Sequence, residues 1–105
     1  MRTWRTILRG LLGITPTLDL HGLGVREALV ETERFLRDAQ TQDEPVVHIV
    51  YGKGHRSAGG RGVLREVVPR WLESEGARLV ERFERVPDVT GADGAAKVWL
   101  RRRTR

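Results

Sequence analysis

The sequence predicts an α/β fold: a two-layer sandwich in the order β-α-β-α-β-β, with a mixed four-stranded sheet and an N-terminal amphipathic helix. Short β-rich runs alternate with segments whose apolar residues follow helical spacing, which is typical of β-α-β units. The chain has 105 residues and no cysteine. One domain with its own core is therefore expected, and a disulfide-rich secreted scaffold is excluded. We expect the helix in residues 1–15, the domain in residues 16–101 and a basic tail in residues 102–105.

The N-terminal helix is predicted from apolar residues that recur on one helical face: Trp4, Ile7, Leu8, Leu11 and Leu12. Pro16 bars the continuation of this helix. We expect its apolar face to pack on the domain or on a second copy, and the oligomeric state stays open. Binding of this helix to a membrane surface is the less favoured alternative. No run in the chain approaches the ~20 apolar residues of a membrane span. We expect a cytoplasmic protein with no membrane partner.

The domain is predicted to begin with a short strand over residues 17–20, followed by a turn. A helix with one apolar face is then expected from Val25 to about Gln40. The run over residues 46–51 is rich in β-branched residues and apolar on both faces apart from His48, which suits a central strand. We interpret His48 as a structural residue rather than a ligand.

A second amphipathic helix is predicted over residues 64–72. Pro69 removes one backbone amide from this helix and should cause a kink, and Gly76 is expected to end the helix. An antiparallel hairpin is predicted to complete the sheet, with strands over 78–85 and 95–100 and a turn-rich loop over 87–94. Trp99 should face outward from the last strand, where it either packs or stacks on a base.

The net charge of +5, with 19 Lys and Arg against 14 Asp and Glu, is not spread evenly along the chain. Positive charge is concentrated in residues 1–22, 51–72 and 95–105, whereas residues 23–50 and 73–94 are each net acidic. This separation favours one side of the domain that faces an anionic partner such as nucleic acid. The alternative is a solvated, arginine-rich surface.

The first candidate functional loop follows the first strand and contains Asp19, His21 and Gly22. Asp19 and His21 are two residues apart, so their side chains should point to the same side of the strand. The carboxylate can orient the imidazole, and the imidazole can move a proton near neutral pH. The structural alternative is that Asp19 caps a turn and His21 is a hydrogen-bonded, half-buried residue.

The second candidate loop joins a strand to a helix and combines glycines with cationic and hydroxyl side chains. Its candidate phosphate-binding residues are Gly52, Lys53, Gly54, His55, Arg56, Ser57 and Arg61, with Arg65 in the helix that follows. Glycines allow close backbone approach, and Arg and Lys fit phosphate. The order of residues excludes a P-loop and a dinucleotide fingerprint. The alternative is a solvated loop without a ligand.

Both loops follow strands and precede helices. Such loops meet at the carboxyl edge of an open α/β sheet, where ligands usually bind. If the two strands are parallel neighbours, Asp19 and His21 lie beside Lys53 and its loop. An acid–base pair next to a phosphate-binding loop indicates phosphodiester chemistry.

The motifs of this sequence resemble those of the small MutS-related (Smr) domain family, over about residues 16–101. The matching segments are Leu18–Gly22 with Glu27 and Ala28, then Gly52–Gly54 with Ser57, Gly62–Arg65, Val68–Leu72 and Gly91–Leu100. The first segment is similar to the family's L-D-L-H-G-x-x-x-x-E-A signature. Because several motifs occur in order at compatible spacing, the resemblance is specific.

The resemblance implies a two-layer α/β fold and nucleic-acid binding, often with endonuclease activity on DNA in repair and recombination, or on RNA, including messenger RNA on ribosomes. It places Asp19 and His21 at the family's presumed catalytic positions, and Gly52 and Gly54 in its second motif. Many members have His immediately before that motif, where this chain has Tyr51. A tyrosine can donate a hydrogen bond but is a poor base near pH 7, and His55 is a candidate substitute.

The sequence therefore supports an endonuclease that cleaves DNA or RNA through Asp19 and His21. A non-catalytic module that binds nucleic acid or the ribosome is the alternative, and a protein-interaction module recruited to a ribosome or repair complex is the third hypothesis. No set of His, Asp and Glu has recognisable metal-ligand spacing, and a divalent metal at Asp19 and His21 stays an open alternative. The sequence does not distinguish DNA from RNA.

Overall fold

The computed structural model describes residues 15–52, 63–87 and 93–103. In chain order, its elements are β1 (Thr17–Asp19), α1 (Val25–Thr41), β2 (Val46–Val50), α2 (Val63–Glu73), a 3₁₀ helix (Glu75–Arg78), β3 (Val80–Pro87) and β4 (Asp93–Leu100). The predicted order β-α-β-α-β-β is confirmed, with the 3₁₀ helix as an addition. Apart from Thr15, the predicted N-terminal amphipathic helix lies outside the described residues.

The four strands form one mixed sheet, as the sequence predicts, and their order in the sheet is β1-β2-β4-β3. Strands β1 and β2 are parallel, with Leu18 opposite Ile49, whereas β4 runs antiparallel to both of its neighbours. Connections between parallel strands are right-handed, and the two crossovers step across the sheet in the same direction. Both helices therefore lie on one face of the sheet, where α1 and α2 contact each other.

The hydrophobic core lies between that face and the two helices. On the inner face of the sheet the most buried side chains are Leu18, Val47, Ile49, Ala96 and Val98, each at most 1% exposed. The alternate residues of the strands lie on the opposite face, which we call the outer face. It includes Asp19, His48, Lys97 and Trp99, which are half-buried or exposed. No helix in the described part of the chain covers the outer face.

The end of α2 differs from the prediction. The helix ends at Glu73 rather than at Gly76, and the third strand begins at Val80 instead of Arg78, because a 3₁₀ helix lies between them. Gly76 lies inside the 3₁₀ helix, where a Cβ atom would come within 2.5 Å of Cζ3 of Trp71. Glycine is therefore needed here for a close approach to the indole ring and not to terminate α2.

Pro69 is accommodated inside α2, which continues through it to Glu73. A proline at this position cannot donate to the carbonyl four residues earlier, which belongs to Arg65. In the structure that carbonyl accepts a hydrogen bond from Nη1 of Arg85 on β3, at 3.4 Å. A side chain from the neighbouring strand thus supplies the donor that the proline removes.

Candidate active site at the carboxyl edge of two parallel strands

The carboxyl ends of β1 and β2 meet at one edge of the sheet. Asp19, the last residue of β1, lies opposite Val50, the last residue of β2. The amide of Leu20 donates to the carbonyl of Val50 at 2.7 Å, so the two chains stay paired beyond the last strand residue. Strands β1 and β2 are therefore parallel neighbours, which is the condition for the two candidate loops to lie side by side.

Asp19 and His21 form a hydrogen-bonded pair at this edge. Oδ1 of Asp19 accepts the backbone amide of His21 at 3.0 Å and lies 3.2 Å from Nδ1 of the imidazole; Oδ2 lies 3.3 Å from the same nitrogen. A carboxylate only accepts, so Nδ1 carries the proton in this contact. In the neutral ring Nε2 then has a free lone pair. The side chains of His21 and Asp19 are 78% and 50% exposed, so the half-buried histidine of the structural alternative is not observed.

The turn after β1 holds His21 in place. The amide of Leu23 donates to the carbonyl of Leu20 at 3.1 Å, which closes a tight turn around His21 and Gly22. Gly22 has a φ of +85°, a conformation that side chains other than glycine rarely adopt. The Asp-Leu-His-Gly sequence is therefore a local geometric unit in which the strand supplies the carboxylate and the turn supplies the imidazole.

Gly52 brings the second motif next to the first. Its φ is +83°, and a Cβ at this position would lie 3.8 Å from Cβ of His21. The carbonyl of Gly94 accepts the amides of both Tyr51 and Gly52, at 2.9 and 3.0 Å. Gly52 is thus attached to β4 and lies next to Cβ of His21.

Tyr51, the residue before Gly52, is buried in the fold. Its ring is only 2% exposed, and its hydroxyl donates to the carbonyl of Ala95 at 2.9 Å. The hydrogen bond that Tyr51 can donate is therefore made within the fold, from the residue that follows β2 to β4. Tyr51 is thus buried on the inner face, whereas the side chains of Asp19 and His21 are exposed.

The remaining predicted phosphate-binding residues divide into two groups. Lys53, Gly54, His55, Arg56, Ser57 and Arg61 lie in residues 53–62, outside the described part of the chain. Arg65 is half-buried in the first turn of α2, where the glycine-rich loop leads into the helix.

The basic residues 101–103, which follow β4, lie at the opposite edge of the sheet from Asp19. Because β4 is antiparallel to β2, its last residues lie opposite Val46, at the beginning of β2. Arg101 is fastened there, since its amide donates to the carbonyl of Leu79 at 2.9 Å and its Nε donates to the carbonyl of Ala77 at 2.8 Å. The positive charge of residues 101–103 therefore does not add to the Asp19–His21 edge, and sequence order alone could not show this.

His48 lies on the outer face, in the middle of β2 and opposite Lys97 of β4. Burial lowers the pKa of His48 below its usual 6.5, and the positive charge of Lys97 lowers this pKa further. The structural interpretation of His48 is consistent with this position.

We expect His48→Gln to flatten the pH dependence of stability just below pH 6.5. In that range the unfolded chain binds a proton at His48 more readily than the folded chain, so the wild type's free energy of unfolding should fall as the pH drops. The fall should level off, for this group, below the folded-state pKa. Urea unfolding of both proteins at several pH values checks the slope. Equal slopes for wild type and variant would contradict the assignment.

The described part of the site offers two metal donors, Asp19 and His21. Among the described residues, no group of three or more His, Cys, Asp or Glu could hold a metal ion. Asp19 and His21 supply two donors, which contact each other. A divalent ion here would need further ligands from residues 53–62 or from the substrate.

Within residues 15–52, 63–87 and 93–103, no helix is long and apolar enough to cross a membrane.

The fold and this edge define a class of protein: a two-layer α/β domain with an exposed Asp–His pair beside a glycine-rich loop. The sequence matches the family model described as Smr domain over residues 18–101. The chain belongs to the Smr domain family.

Among the curated relatives, two proteins named Endonuclease MutS2 are similar to most of this chain. The protein from Pediococcus pentosaceus is 36% identical over 82% of the chain, and that from Pelotomaculum thermopropionicum is 40% identical over 83%. The chain spans only about 10% of the length of each of these relatives. Endonuclease NBR9 of Saccharomyces cerevisiae is 33% identical over 58% of the chain, which spans 25% of that relative.

Two solved structures share the fold. The crystal structure of the Smr domain of Thermus thermophilus MutS2 has a TM-score of 0.68 and 31% identity, and the match covers 84% of this chain and 99% of that one. The solution structure of the B3BP Smr domain has a TM-score of 0.61 and 26% identity, with 96% and 100% covered. The similarity therefore extends over the whole of both known domains.

Proposed function

We propose that this chain is a nucleic-acid-binding endonuclease domain that cleaves phosphodiester bonds in DNA or RNA, with Asp19 and His21 as its catalytic pair. The observation that carries the proposal is the exposed Asp19–His21 hydrogen bond beside Gly52. The names of the relatives, which are endonucleases, support the same activity. DNA repair and recombination, or RNA quality control, are the processes we propose for it, in the cytoplasm.

The geometry of the pair supports a general-base role for His21. With Nδ1 donating to Asp19, Nε2 can accept a proton from the attacking water, or from a ribose 2′-hydroxyl in RNA. The oxygen then forms a bond to phosphorus, the bond to the leaving oxygen breaks, and the imidazolium can return the proton to that oxygen. Asp19 stabilises the imidazolium between these two events.

The cationic groups of residues 51–72 are proposed to hold the phosphate. This segment contains five Lys and Arg against Glu66 alone. Lys53, Arg56 and Arg61 with Arg65 would neutralise the charge that develops on the phosphoryl oxygens, which is usually a major part of catalysis at such sites. The open position of His21, with 78% of its side chain exposed, suits a polymer better than an enclosed small molecule.

The second candidate function is a non-catalytic module that binds nucleic acid or the ribosome. It is favoured by Tyr51, which replaces the histidine of many family members. The hydroxyl of Tyr51 donates a hydrogen bond to the carbonyl of Ala95 within the fold. In that case the same edge would bind phosphate without cleaving it.

We expect the purified chain to cleave 5′-labelled RNA or DNA, and its binding to weaken steeply as salt rises. Single-stranded and duplex forms of both nucleic acids, each with magnesium, manganese or EDTA, separate the substrate class from the metal requirement. Salt-dependent binding without cleavage under any condition would support the non-catalytic module. Absence of salt-dependent binding to every substrate would contradict both candidates and favour a protein-interaction module.

A further inference from the structure

The outer face carries an aromatic and cationic cluster that the proposed catalytic pair does not use. Three neighbouring strands contribute to one row across the sheet, in which Trp99 lies between Val46 and Arg82. The row beside it contains Lys97, between His48 and Glu84. In the described part of the chain, both helices pack on the other face.

The guanidinium of Arg82 lies over the indole ring of Trp99. Cζ of Arg82 lies 3.6 Å from the centroid of the indole ring, which is van der Waals distance, and Nζ of Lys97 lies 5.0 Å from the same centroid. Arg82 also contacts Glu84 at 3.2 Å, which limits the orientations of the guanidinium. Nucleobases stack on aromatic rings and on guanidinium planes, and adjacent cations contact the phosphates that connect them.

This cluster and the candidate active site lie on the same face of the sheet. Asp19 is on the outer face, because it alternates with the buried Leu18. Asp19 pairs with Val50 of β2, and Val50 pairs with Ala95 of β4, so Asp19 is level with Ala95 across the sheet. Trp99 is four residues further along β4, which corresponds to roughly 14 Å along the strand and two strand spacings, or roughly 10 Å, across the sheet. A single nucleic-acid strand could therefore contact both places at once.

We propose that Trp99 and Arg82 form a base-stacking subsite for single-stranded nucleic acid, on a strand that continues across the outer face to Asp19 and His21. This inference rests on the proposed function and adds a preference for unpaired bases. Charge favours this occupant over a second copy of the chain, because Arg82 and Lys97 outnumber Glu84 in the cluster. Stacking makes no demand on base identity, so the subsite should accept DNA and RNA.

The test compares two proteins that both carry His21→Ala, so that the probe is not cleaved. One of them has the native Trp99 and the other also carries Trp99→Leu. The base-bearing probes are fluorescent oligothymidine and oligouridine strands of about 12 nucleotides, a length on the scale of single-strand binding sites. An abasic strand of equal length and a duplex serve as the other two probes. We expect about tenfold weaker binding of the base-bearing strands by Trp99→Leu. The abasic strand and the duplex should lose little, because neither offers an unpaired base to the indole. Trp99→Phe, which keeps a ring, should retain most of the affinity.

A matched pair of arginines controls for charge and for folding. Arg82 on the outer face and Arg34 on α1 are both exposed and both contact a nearby glutamate, at 3.2 and 3.4 Å. Arg82→Leu should weaken single-strand binding more than Arg34→Leu does, while thermal unfolding confirms that both variants are folded. Equal losses from the two variants would contradict a subsite at Trp99.

The remaining outcomes also decide the proposal. Unchanged affinity of Trp99→Leu for single strands, or an equal loss on the abasic strand, would overturn it. A changed oligomeric state with unchanged affinity would assign the face to self-association and overturn it as well. If Asp19 and His21 are required for cleavage but Trp99→Leu leaves the affinity unchanged, the proposed function stands and the base-stacking subsite is wrong. A wild type that binds no nucleic acid would contradict both the proposed function and the subsite.

Discussion

His21→Ala should lower the rate of phosphodiester cleavage by about 10²- to 10⁴-fold, the range for loss of a general acid–base group. The change removes the imidazole whose Nδ1 lies 3.2 Å from Oδ1 of Asp19, and leaves the backbone amide that donates to the same carboxylate. Affinity for nucleic acid should stay close to that of the wild type, because the proposed phosphate contacts are made by other residues. Single-turnover cleavage and equilibrium binding, measured on the same labelled strand, check the two quantities separately.

Chemical rescue provides the control for this substitution. The side chain of His21 is 78% exposed, so free imidazole can enter the space that alanine leaves and should restore part of the activity. Asp19→Asn should slow cleavage as well, since an amide stabilises the imidazolium less well than a carboxylate does. Cleavage that survives both His21→Ala and Asp19→Ala would contradict the assignment of this edge as the active site.

Gly76→Ala should destabilise the domain by about 2–3 kcal/mol, in the range for overpacking a filled core. A Cβ atom at Gly76 would lie 2.5 Å from Cζ3 and 2.7 Å from Cε3 of Trp71. The indole is 7% exposed and belongs to the main core cluster, so it cannot move aside freely. The 3₁₀ helix that contains Gly76 connects α2 to β3, and a shift there would also disturb the first residue of β3. Urea unfolding, followed by circular dichroism, gives the change in midpoint.

Gly24→Ala is the matched control, because it adds the same methyl group where there is space. A Cβ at Gly24 meets nothing within 4 Å, and its φ of −74° is accessible to alanine. We expect a loss of about 0.5 kcal/mol, since Gly24 is the N-cap of α1 and alanine is a poorer cap than glycine. Similar midpoints for the two variants would show that the ring of Trp71 adapts and that the close approach is not required.

The order of elements could be predicted because each element depends on a local pattern. Apolar residues on one face of α1 and the β-branched run of β2 are visible in the sequence without knowledge of any partner. The end of α2 could not be predicted in the same way. Gly76 is consistent with a helix end in sequence, but its actual requirement is a contact with Trp71, whose ring position depends on packing.

The candidate site also combines features that the sequence predicts with features that depend on tertiary contacts. Asp19 and His21 are two residues apart on a strand that ends in a glycine turn, so their mutual contact was accessible to sequence reasoning. The role of Tyr51 was not, because the hydroxyl's partner, the carbonyl of Ala95, is 44 residues away in the chain. The sequence predicts that Trp99 faces outward, but the contact of its ring with Arg82 depends on the register between β3 and β4.

The sequence by itself determined the fold class, the Asp–His pair and the glycine turn, because these depend on backbone preferences and spacings over a few residues. Only the tertiary structure decided which distant segments share an edge. The antiparallel direction of β4 takes the basic residues 101–103 away from Asp19, while the parallel pairing of β1 and β2 brings Gly52 to His21. Strand direction and register are set by burial of the whole inner face, so no single segment contains that information.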